Sequence, residues 1–172
     1  GKNMSSETFD TLGHQKETNY AMLATNREAF IKELTTGILP PPQYFPKNAM
    51  LNKSGYLSID KVMESAKKSL TLEEFNAQVG VGALVLDTRH QSKFVEGFIP
   101  GSISIPLGGQ YAVWLGTLVE DLNSPIIMIA EEGKEEETVM RSARVGYDNI
   151  IGFLEGGFDT WTAAGNAIDS IE

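Results

Sequence analysis

The residues that could do chemistry concentrate in a short acidic segment late in the chain. Residues 126–129 read as an apolar strand, residues 130–135 (Ala-Glu-Glu-Gly-Lys-Glu) as a tight loop, and the glutamates from position 135 as a helix start. Thiolate chemistry would need a cysteine as its nucleophile. The first position of the loop is Ala130, and the whole chain has no cysteine. Nothing in this chain can replace that nucleophile.

The acidic run itself has two readings. Glutamates in the first turn of a helix are stabilising by roughly 0.3–1 kcal/mol each, because they face the positive end of the helix dipole. Glu137 and Arg141 also stand four residues apart in the favourable order. A solvated helix start is therefore the favoured interpretation, and a docking surface for a basic partner is the alternative. The run consists of Glu131, Glu132, Glu135, Glu136 and Glu137.

Few other residues suggest a reactive centre. Asp87 and Arg89 follow an apolar run, where we expect them to tie loops together by hydrogen bonds and an ion pair rather than to catalyse. His14 and His90 are the only histidines and have no neighbour at metal-ligand spacing, so no metal site is expected in this chain. Trp114 and Trp161 are expected in the core.

Composition excludes several classes of partner. The formal net charge is -9 and the pI is about 4.7, which repels nucleic acids and anionic membrane surfaces. No apolar run reaches the roughly 18 residues of a membrane span. The absence of cysteine excludes a disulfide framework, and a cytoplasmic location is expected.

The elements that must position the acidic loop alternate between strands and helices. Apolar runs of strand length are residues 83–87, 103–105, 126–129 and 149–154; helical patterns cover 71–79, 110–119, 135–145 and 158–164. Thr71 to Glu74 has the form of a capping box. Apolar strands that alternate with helices predict an α/β fold, with a small parallel sheet flanked by helices on both faces.

The first block of the chain has a different character. Thr25 to Glu28 reads as a capping box, followed by a helix to Leu34 that ends at Gly37. Three prolines follow, so residues 43–48 are expected to be extended. Residues 55–70 read as a polar linker, helical around 60–67. The block has too little apolar periodicity to fold alone, so a helical and extended N-terminal tail is expected.

Three motifs in the second block resemble the rhodanese-like family. They are Leu-Val-Leu-Asp-Thr-Arg at 84–89, Gly-Phe-Ile-Pro-Gly-Ser-Ile-Ser-Ile-Pro at 97–106, with Phe98 in place of the usual histidine, and Leu-Glu-Gly-Gly-Phe-Asp-Thr-Trp at 154–161. They stand in the family's order and at its spacings. The resemblance assigns residues 71–172 to a rhodanese-like domain.

That resemblance implies a lost active site. The family's loop carries a cysteine and often an arginine five residues later, with backbone N–H groups around the sulfur. The corresponding residues here are Ala130 and Glu135, which remove the nucleophile and replace a cation with a carboxylate. Related domains with phosphatase activity need the same cysteine and arginine in this loop. Phosphatase chemistry is therefore not expected here either. The vestigial loop is Ala130, Glu131, Glu132, Gly133, Lys134 and Glu135, and no catalytic residue is assigned. Its N–H groups are expected to find water, an anion or a folded-back glutamate.

The first block also resembles a known family. Residues 11–21, the helix to Leu34, and Pro-Pro-Gln-Tyr-Phe-Pro-Lys-Asn at 41–48 look like the C-terminal end of a metallo-β-lactamase-fold hydrolase. The similar branch contains glyoxalase II-like enzymes and persulfide dioxygenases, some of them fused to rhodanese domains. Residues 1–54 are assigned to that tail. The family's metal signature is absent, so iron or zinc is expected only in an upstream domain and no cofactor in this chain.

These resemblances imply a non-catalytic module of a fusion protein of persulfide or thioester metabolism. The module would be a scaffold or a contact between domains or subunits. Its partners would be the remainder of the parent polypeptide and further copies in a homo-oligomer, with no nucleic acid and no membrane. Two alternatives stay open: a sulfurtransferase whose cysteine comes from another domain, and a binding module for a small anion or persulfide.

Overall fold

The alternation of apolar runs and helical patterns predicts a parallel sheet, and the computed structural model of the chain contains one. The structure describes residues 7–38, 41 and 44–171. The chain divides into two compact units, residues 1–40 and 41–172. The boundary expected between residues 54 and 55 is therefore displaced, because residues 44–70 fold with the second unit.

The described part of the first unit contains two short helices, α1 (Leu12–Thr18) and α2 (Arg27–Thr35). The side chain of Asn26 caps α2 by accepting a hydrogen bond from the backbone N–H of Ala29 at 2.8 Å. The cap expected at Thr25 is thus wrong by one residue. Asparagine is at least as good an N-cap as threonine, so the residue nearer the helix takes the role.

No described residue of the first unit is buried. Its large apolar side chains remain exposed: Phe9, Leu12, Met22, Leu23, Phe30, Ile31 and Ile38. The described part of this unit therefore has no hydrophobic core of its own, in keeping with its sparse apolar pattern.

The second unit is an α/β structure built on a five-stranded sheet within the described residues. Its strands are β1 (Ser69–Leu70), β2 (Leu84–Asp87), β3 (Ile103–Ser104), β4 (Ile126–Ile129) and β5 (Ile150–Leu154). Its helices are α3 (Tyr44–Ser54), α4 (Ile59–Ala66), α5 (Leu72–Gly80), α6 (Gln91–Glu96), α7 (Tyr111–Leu118), α8 (Glu135–Ala143) and α9 (Gly157–Ala163). The strands run parallel in the order β1-β5-β4-β2-β3. The predicted fold class is confirmed.

Successive residues of the central strands point to opposite faces of the sheet, and each face has its own core. Met128 of β4 belongs to a cluster with residues of α4, α7 and α8, whereas Ile127 and Ile129 belong to a cluster with Phe75 of α5. The partly buried Trp161 of α9 packs against the second cluster. Helices thus cover both faces, which explains why β4 is apolar at every position.

The register of the sheet brings the functional loops together. Asp87, the last residue of β2, pairs with Ile129, the last residue of β4. The backbone N–H of Thr88 donates to the carbonyl of Ile129 at 2.9 Å. Since the strands are parallel, the loops after β2 and β4 leave the same edge of the sheet side by side.

Helix α3 corrects the extended segment expected at residues 43–48. Pro46 is the third residue of this helix, in the first turn, where a backbone N–H has no acceptor within the helix and proline is tolerated. The ring of Tyr44 packs so closely on α7 that a Cβ at Gly116 would collide with it. Tertiary packing therefore favours the helical conformation of this segment over the extended one. Gln43 lies outside the described residues.

The expected linker at residues 55–70 is part of the fold in this structure. Its helix α4 buries Val62, Met63 and Ala66 in the first core cluster, and Ser69 and Leu70 form β1, which pairs with β5. The helix expected around residues 60–67 is present as α4, but the polar composition concealed its apolar face.

One of the two tryptophans also differs from expectation. Trp114 is 56% exposed on the outer side of α7, because Tyr111 and Leu115 already fill the inner side of that helix. Trp161 is partly buried, and its indole N–H donates to the carbonyl of Ala167 at 2.8 Å.

Candidate functional site

The 130–135 loop keeps the geometry of a tight strand-to-helix connection. It begins directly after β4, and α8 begins at Glu135. The backbone N–H of Lys134 donates to the carbonyl of Glu131 at 2.9 Å, which closes a four-residue turn. Gly133 occupies the third position of that turn with φ +78°, a conformation that glycine adopts without strain.

Ala130 lines a broad groove formed where the strands end. The groove has a volume of about 1330 Å³ and is bordered by the loops after β2, β4 and β5. The carbonyl of Ala130 lies beside Gly157, where a Cβ would come within 3.3 Å of it. The methyl group of Ala130 offers neither a nucleophile nor a hydrogen-bonding atom to the groove.

The charges around the groove are mostly negative. Among the described residues that line it, the carboxylates are Glu96, Glu131, Glu132, Glu135, Glu136, Glu155 and Asp159, and the cations are Lys67, Lys93 and Arg89. Arg89 is already paired inside the protein. Such a field opposes a thiosulfate or persulfide anion and favours a cationic group.

Glu131 joins the 130–135 loop to the start of α6. Its carboxylate accepts a hydrogen bond from the backbone N–H of His90 at 3.1 Å and lies 3.3 Å from the ammonium of Lys93. The hydrogen bond from His90, followed by the contact with Lys93, holds the pKa of Glu131 below its ordinary value. Glu131 therefore reaches across to the loop after β2 rather than back onto the amides of its own loop.

The glutamates at the start of α8 are engaged with nearby cations. Glu137 pairs with Lys134 at 2.9 Å and with Arg141 at 3.4 Å, while Glu136 contacts Lys67 at 3.0 Å. The hydrogen bond with Lys134 lowers the pKa of Glu137 and in turn raises that of Lys134. The Glu137–Arg141 pair occurs where the sequence spacing predicts it.

Asp87 and Arg89 form a buried ion pair beneath the groove. The shortest contact, from Nη2 of Arg89 to Oδ2 of Asp87, is 2.6 Å, and Nε donates to the same carboxylate at 3.0 Å. Nη2 also donates to the carbonyl of Gly97 at 2.8 Å, and the guanidinium lies 4.0 Å from the ring centre of Phe158. The pair thus links the end of β2 to the Gly97 turn and to α9 through Nε and Nη2 of the guanidinium and its face.

The remaining motif residues have structural partners. Phe98, in place of the usual histidine, stacks on Phe94 with ring centres 4.3 Å apart, and its backbone pairs with that of Asp169. His90 caps α6, whereas His14 contacts Asp10 in the first unit. Within the described residues, no group of three or more His, Cys, Asp or Glu side chains could hold a metal ion.

The contacts of Lys67, Lys93 and Phe158 with the site were not predicted from the sequence. Each residue comes from a different element, and no local spacing signals that it lies near the loop. The pairing of the segment around Asp169 with Phe98 is likewise a long-range contact.

A comparison of the sequence with known families identifies the class of protein to which this fold belongs. The sequence matches the rhodanese-like domain family over residues 71–164, so the chain belongs to that family. The sequence search among curated proteins found no match.

Two solved structures illustrate the similarity. The chain superimposes on the rhodanese-like domain of the Alr3790 protein from Anabaena sp. with a TM-score of 0.51 and 18% identity, covering 60% of this chain and 79% of that one. It superimposes on a metallo-β-lactamase from Staphylococcus aureus subsp. aureus COL with a TM-score of 0.64 and 23% identity. The second match covers 84% of this chain and 39% of the Staphylococcus chain. At these identities the matches describe the fold.

No helix in the described residues has the length and apolar character needed to cross a membrane.

Proposed function

We propose that this chain is a non-catalytic rhodanese-like module that acts as a scaffold, holding domains or subunits of a larger sulfur-handling protein in place. The observation that carries the proposal is Ala130 at the start of a loop whose turn is otherwise intact. The module has the family's fold but no thiol that could receive or pass on a sulfur atom.

The ionic contacts of the site favour a structural role over an anion sensor. The carboxylate of Glu131 accepts a hydrogen bond from the backbone N–H of His90. The carboxylates that line the groove would repel thiosulfate or sulfite. In the buried Asp87–Arg89 pair, Nε and Nη2 of the guanidinium are engaged with protein groups. The Glu131 contact holds the loop against the start of α6, as a structural role requires.

The first unit supports a role as a contact between parts of a larger protein. Its exposed apolar side chains include Phe9 at 83% and Ile38 at 64%, and apolar side chains of this size are stabilised when another surface covers them. We infer that residues 1–54 are the tail of a metallo-β-lactamase-fold domain that carries the iron or zinc. The similarity to the Staphylococcus chain, which extends over 84% of this chain, supports that arrangement.

The parent would then be a persulfide dioxygenase or a glyoxalase II-like hydrolase, and its assembly a homo-oligomer in the cytoplasm. Sequencing the complete gene tests this part of the proposal. A His-x-His-x-Asp-His signature upstream is the expected result. An open reading frame without metal ligands upstream would contradict the fusion.

Titration separates the scaffold from the two alternatives. The ¹⁵N-labelled chain is titrated with thiosulfate, sulfite and glutathione persulfide while the amides of residues 130–137 are followed. The scaffold predicts no saturable shift with any of the three. Saturable shifts in this segment would support the anion sensor. Cyanide-dependent thiocyanate formation after addition of a cysteine-bearing domain of the parent would support the sulfurtransferase that borrows its cysteine.

A further inference from the structure

The groove that Ala130 lines has carboxylates without counterions. Its cations, Lys67, Lys93 and Arg89, each already form an ion pair. Within the described part of the chain, the remaining carboxylates of the groove form no ion pair: Glu96, Glu132, Glu135, Glu155 and Asp159. They come from the segments that follow β2, β4 and β5, so the excess negative charge extends along the groove and is not confined to one helix start.

One nitrogen of the buried Arg89 guanidinium has no hydrogen-bond partner among the described residues. Nε and Nη2 donate to Asp87 and to the carbonyl of Gly97, which leaves both N–H groups of Nη1 unused. The Arg89 side chain is only 8% exposed, yet Nη1 is not one of the fully buried atoms that lack a partner. Since Arg89, Gly97 and Phe158 all line the groove, the groove is the opening through which Nη1 is reached.

These two observations select a ligand that combines positive charge with an oxygen acceptor. Because Asp87 balances the charge of Arg89, Nη1 offers a hydrogen bond to a carbonyl oxygen rather than net attraction for an anion. The unpaired carboxylates favour cations and oppose anions. A polypeptide segment with lysine or arginine side chains supplies both backbone carbonyls and cations.

The size and place of the groove fit such a segment. Its volume of about 1330 Å³ exceeds the roughly 300–1,000 Å³ that is typical of small-molecule sites. It lies at the carboxyl ends of parallel strands, which is where ligands of open α/β sheets usually bind.

We propose that this groove docks an extended, lysine- or arginine-rich segment of a partner polypeptide. One backbone carbonyl of the segment accepts a hydrogen bond from Nη1 of Arg89, and its cations lie against the unpaired carboxylates. The inference rests on the scaffold proposal and names the chemistry of the partner. The groove then recognises a polypeptide and not a sulfur compound.

A short basic peptide tests the groove. The peptide acetyl-Lys-Ser-Lys-Ser-Lys-amide is titrated into the ¹⁵N-labelled chain of residues 1–172. The amides of Gly133, Gly156 and Gly157 and the Nε–H signal of Arg89 report binding. We expect saturable shifts that weaken at high salt, because exposed charges are screened. The uncharged peptide acetyl-Gln-Ser-Gln-Ser-Gln-amide should bind roughly tenfold more weakly.

Two double variants that remove equal charge locate the site. Glu132→Gln/Glu135→Gln removes two carboxylates of the groove and should weaken binding of the basic peptide roughly 3–10-fold. Glu64→Gln/Glu73→Gln removes the same charge from exposed positions outside the groove and should change the affinity by less than about twofold. Equal losses in the two variants would show attraction to net charge alone and would overturn the proposal.

Three further results would also overturn it. They are the absence of saturable shifts with the basic peptide, an unmoved Arg89 Nε–H signal at saturation, and an equal affinity for Nα-acetyl-lysine amide, which would indicate a site for a small cation. The scaffold proposal is tested separately by the anion titration of residues 130–137. A chain that ignores both the anions and the basic peptide would therefore refute this inference alone.

Discussion

At the scale of single residues, the proposal depends on the methyl group of Ala130 and the carboxylate of Glu135. In the proposed module, Ala130 stands where the resemblance places the family's nucleophile, and Glu135 stands where it places a cation that would stabilise an anionic sulfur. The two changes act separately, because a thiol must be present to form a persulfide and must also be stabilised as an anion. Their separate effects can be measured.

Introducing a cysteine alone should restore little sulfur transfer. Ala130→Cys is expected to remain near the background of the Ala130→Ser control, because Glu135 still opposes the persulfide anion. The double variant Ala130→Cys/Glu135→Arg should exceed the single one by about tenfold, since reversing a nearby charge changes anion stability by roughly 1–2 kcal/mol. Thiocyanate formation from thiosulfate and cyanide is the measurement. Strong activity of the single variant would mean that the loop's charge matters less than its geometry.

The buried ion pair of Asp87 and Arg89 is expected to contribute to the stability of the fold rather than to catalysis. Arg89→Met leaves Asp87 as an uncompensated buried charge and should lower the free energy of unfolding by about 3–5 kcal/mol. Asp87→Asn/Arg89→Met should recover part of that loss, because it removes the stranded charge as well. Urea unfolding of the three proteins provides the comparison. A double variant less stable than Arg89→Met would show that the pair's hydrogen bonds matter more than its charge balance.

At the scale of elements, the site depends on how strands and loops meet. The carboxyl ends of β2 and β4 lie side by side, and Glu131 joins the loop after β4 to the start of α6. A second close approach occurs where β5 runs beside the residue before β1. Gly152 has φ +154° there, and a Cβ would collide with the carbonyl of Lys68.

The contact of Glu131 predicts a pH dependence. Its pKa is lowered in the folded chain, so its contribution to stability is complete above its ordinary pKa of 4.5 and is lost as the pH falls through the folded value. Glu131→Gln should therefore flatten the acid side of the stability profile relative to wild type. Melting temperatures between neutral and acidic pH test this. Glu73→Gln, at an exposed position of α5, is the control and should leave the slope unchanged; identical profiles for wild type and Glu131→Gln would refute the prediction.

Gly152 should tolerate no side chain. Gly152→Ala is expected to cost more than about 2 kcal/mol, because it combines a disfavoured backbone conformation with a collision between strands. Gly80→Ala is the matched control, since nothing lies within 4 Å of its Cβ position; it should be neutral or slightly stabilising. Urea midpoints report both. Equal effects of the two substitutions would show that the strands can separate to admit the methyl group.

At the scale of the whole molecule, the two units differ in how much of each is buried. The second unit buries two core clusters on the faces of its sheet, whereas no described residue of the first unit is buried. Helices as short as α1 and α2 are marginal in water without tertiary contacts.

Residues 41–172 should therefore unfold cooperatively by themselves, and residues 1–40 should not. Circular dichroism during heating is the measurement, with the full chain as the reference. We expect a sigmoidal transition for the longer fragment and a gradual loss of helicity for the shorter one. A cooperative transition in residues 1–40 would show that they form an independent domain and would contradict their assignment as a tail.

The sequence by itself determined the parallel α/β fold, the capping box at Thr71, the central strands and the absence of a thiol. These features depend on local periodicity or on residue identity, which a sequence displays directly. The tertiary structure alone decided that residues 44–54 are helical, that residues 59–70 join the core and that Trp114 faces outward. It also decided that Glu131 contacts His90 and that Asn48 is left with an unsatisfied acceptor. Each of these outcomes depends on side chains distant in the sequence, whose packing outweighs local propensity.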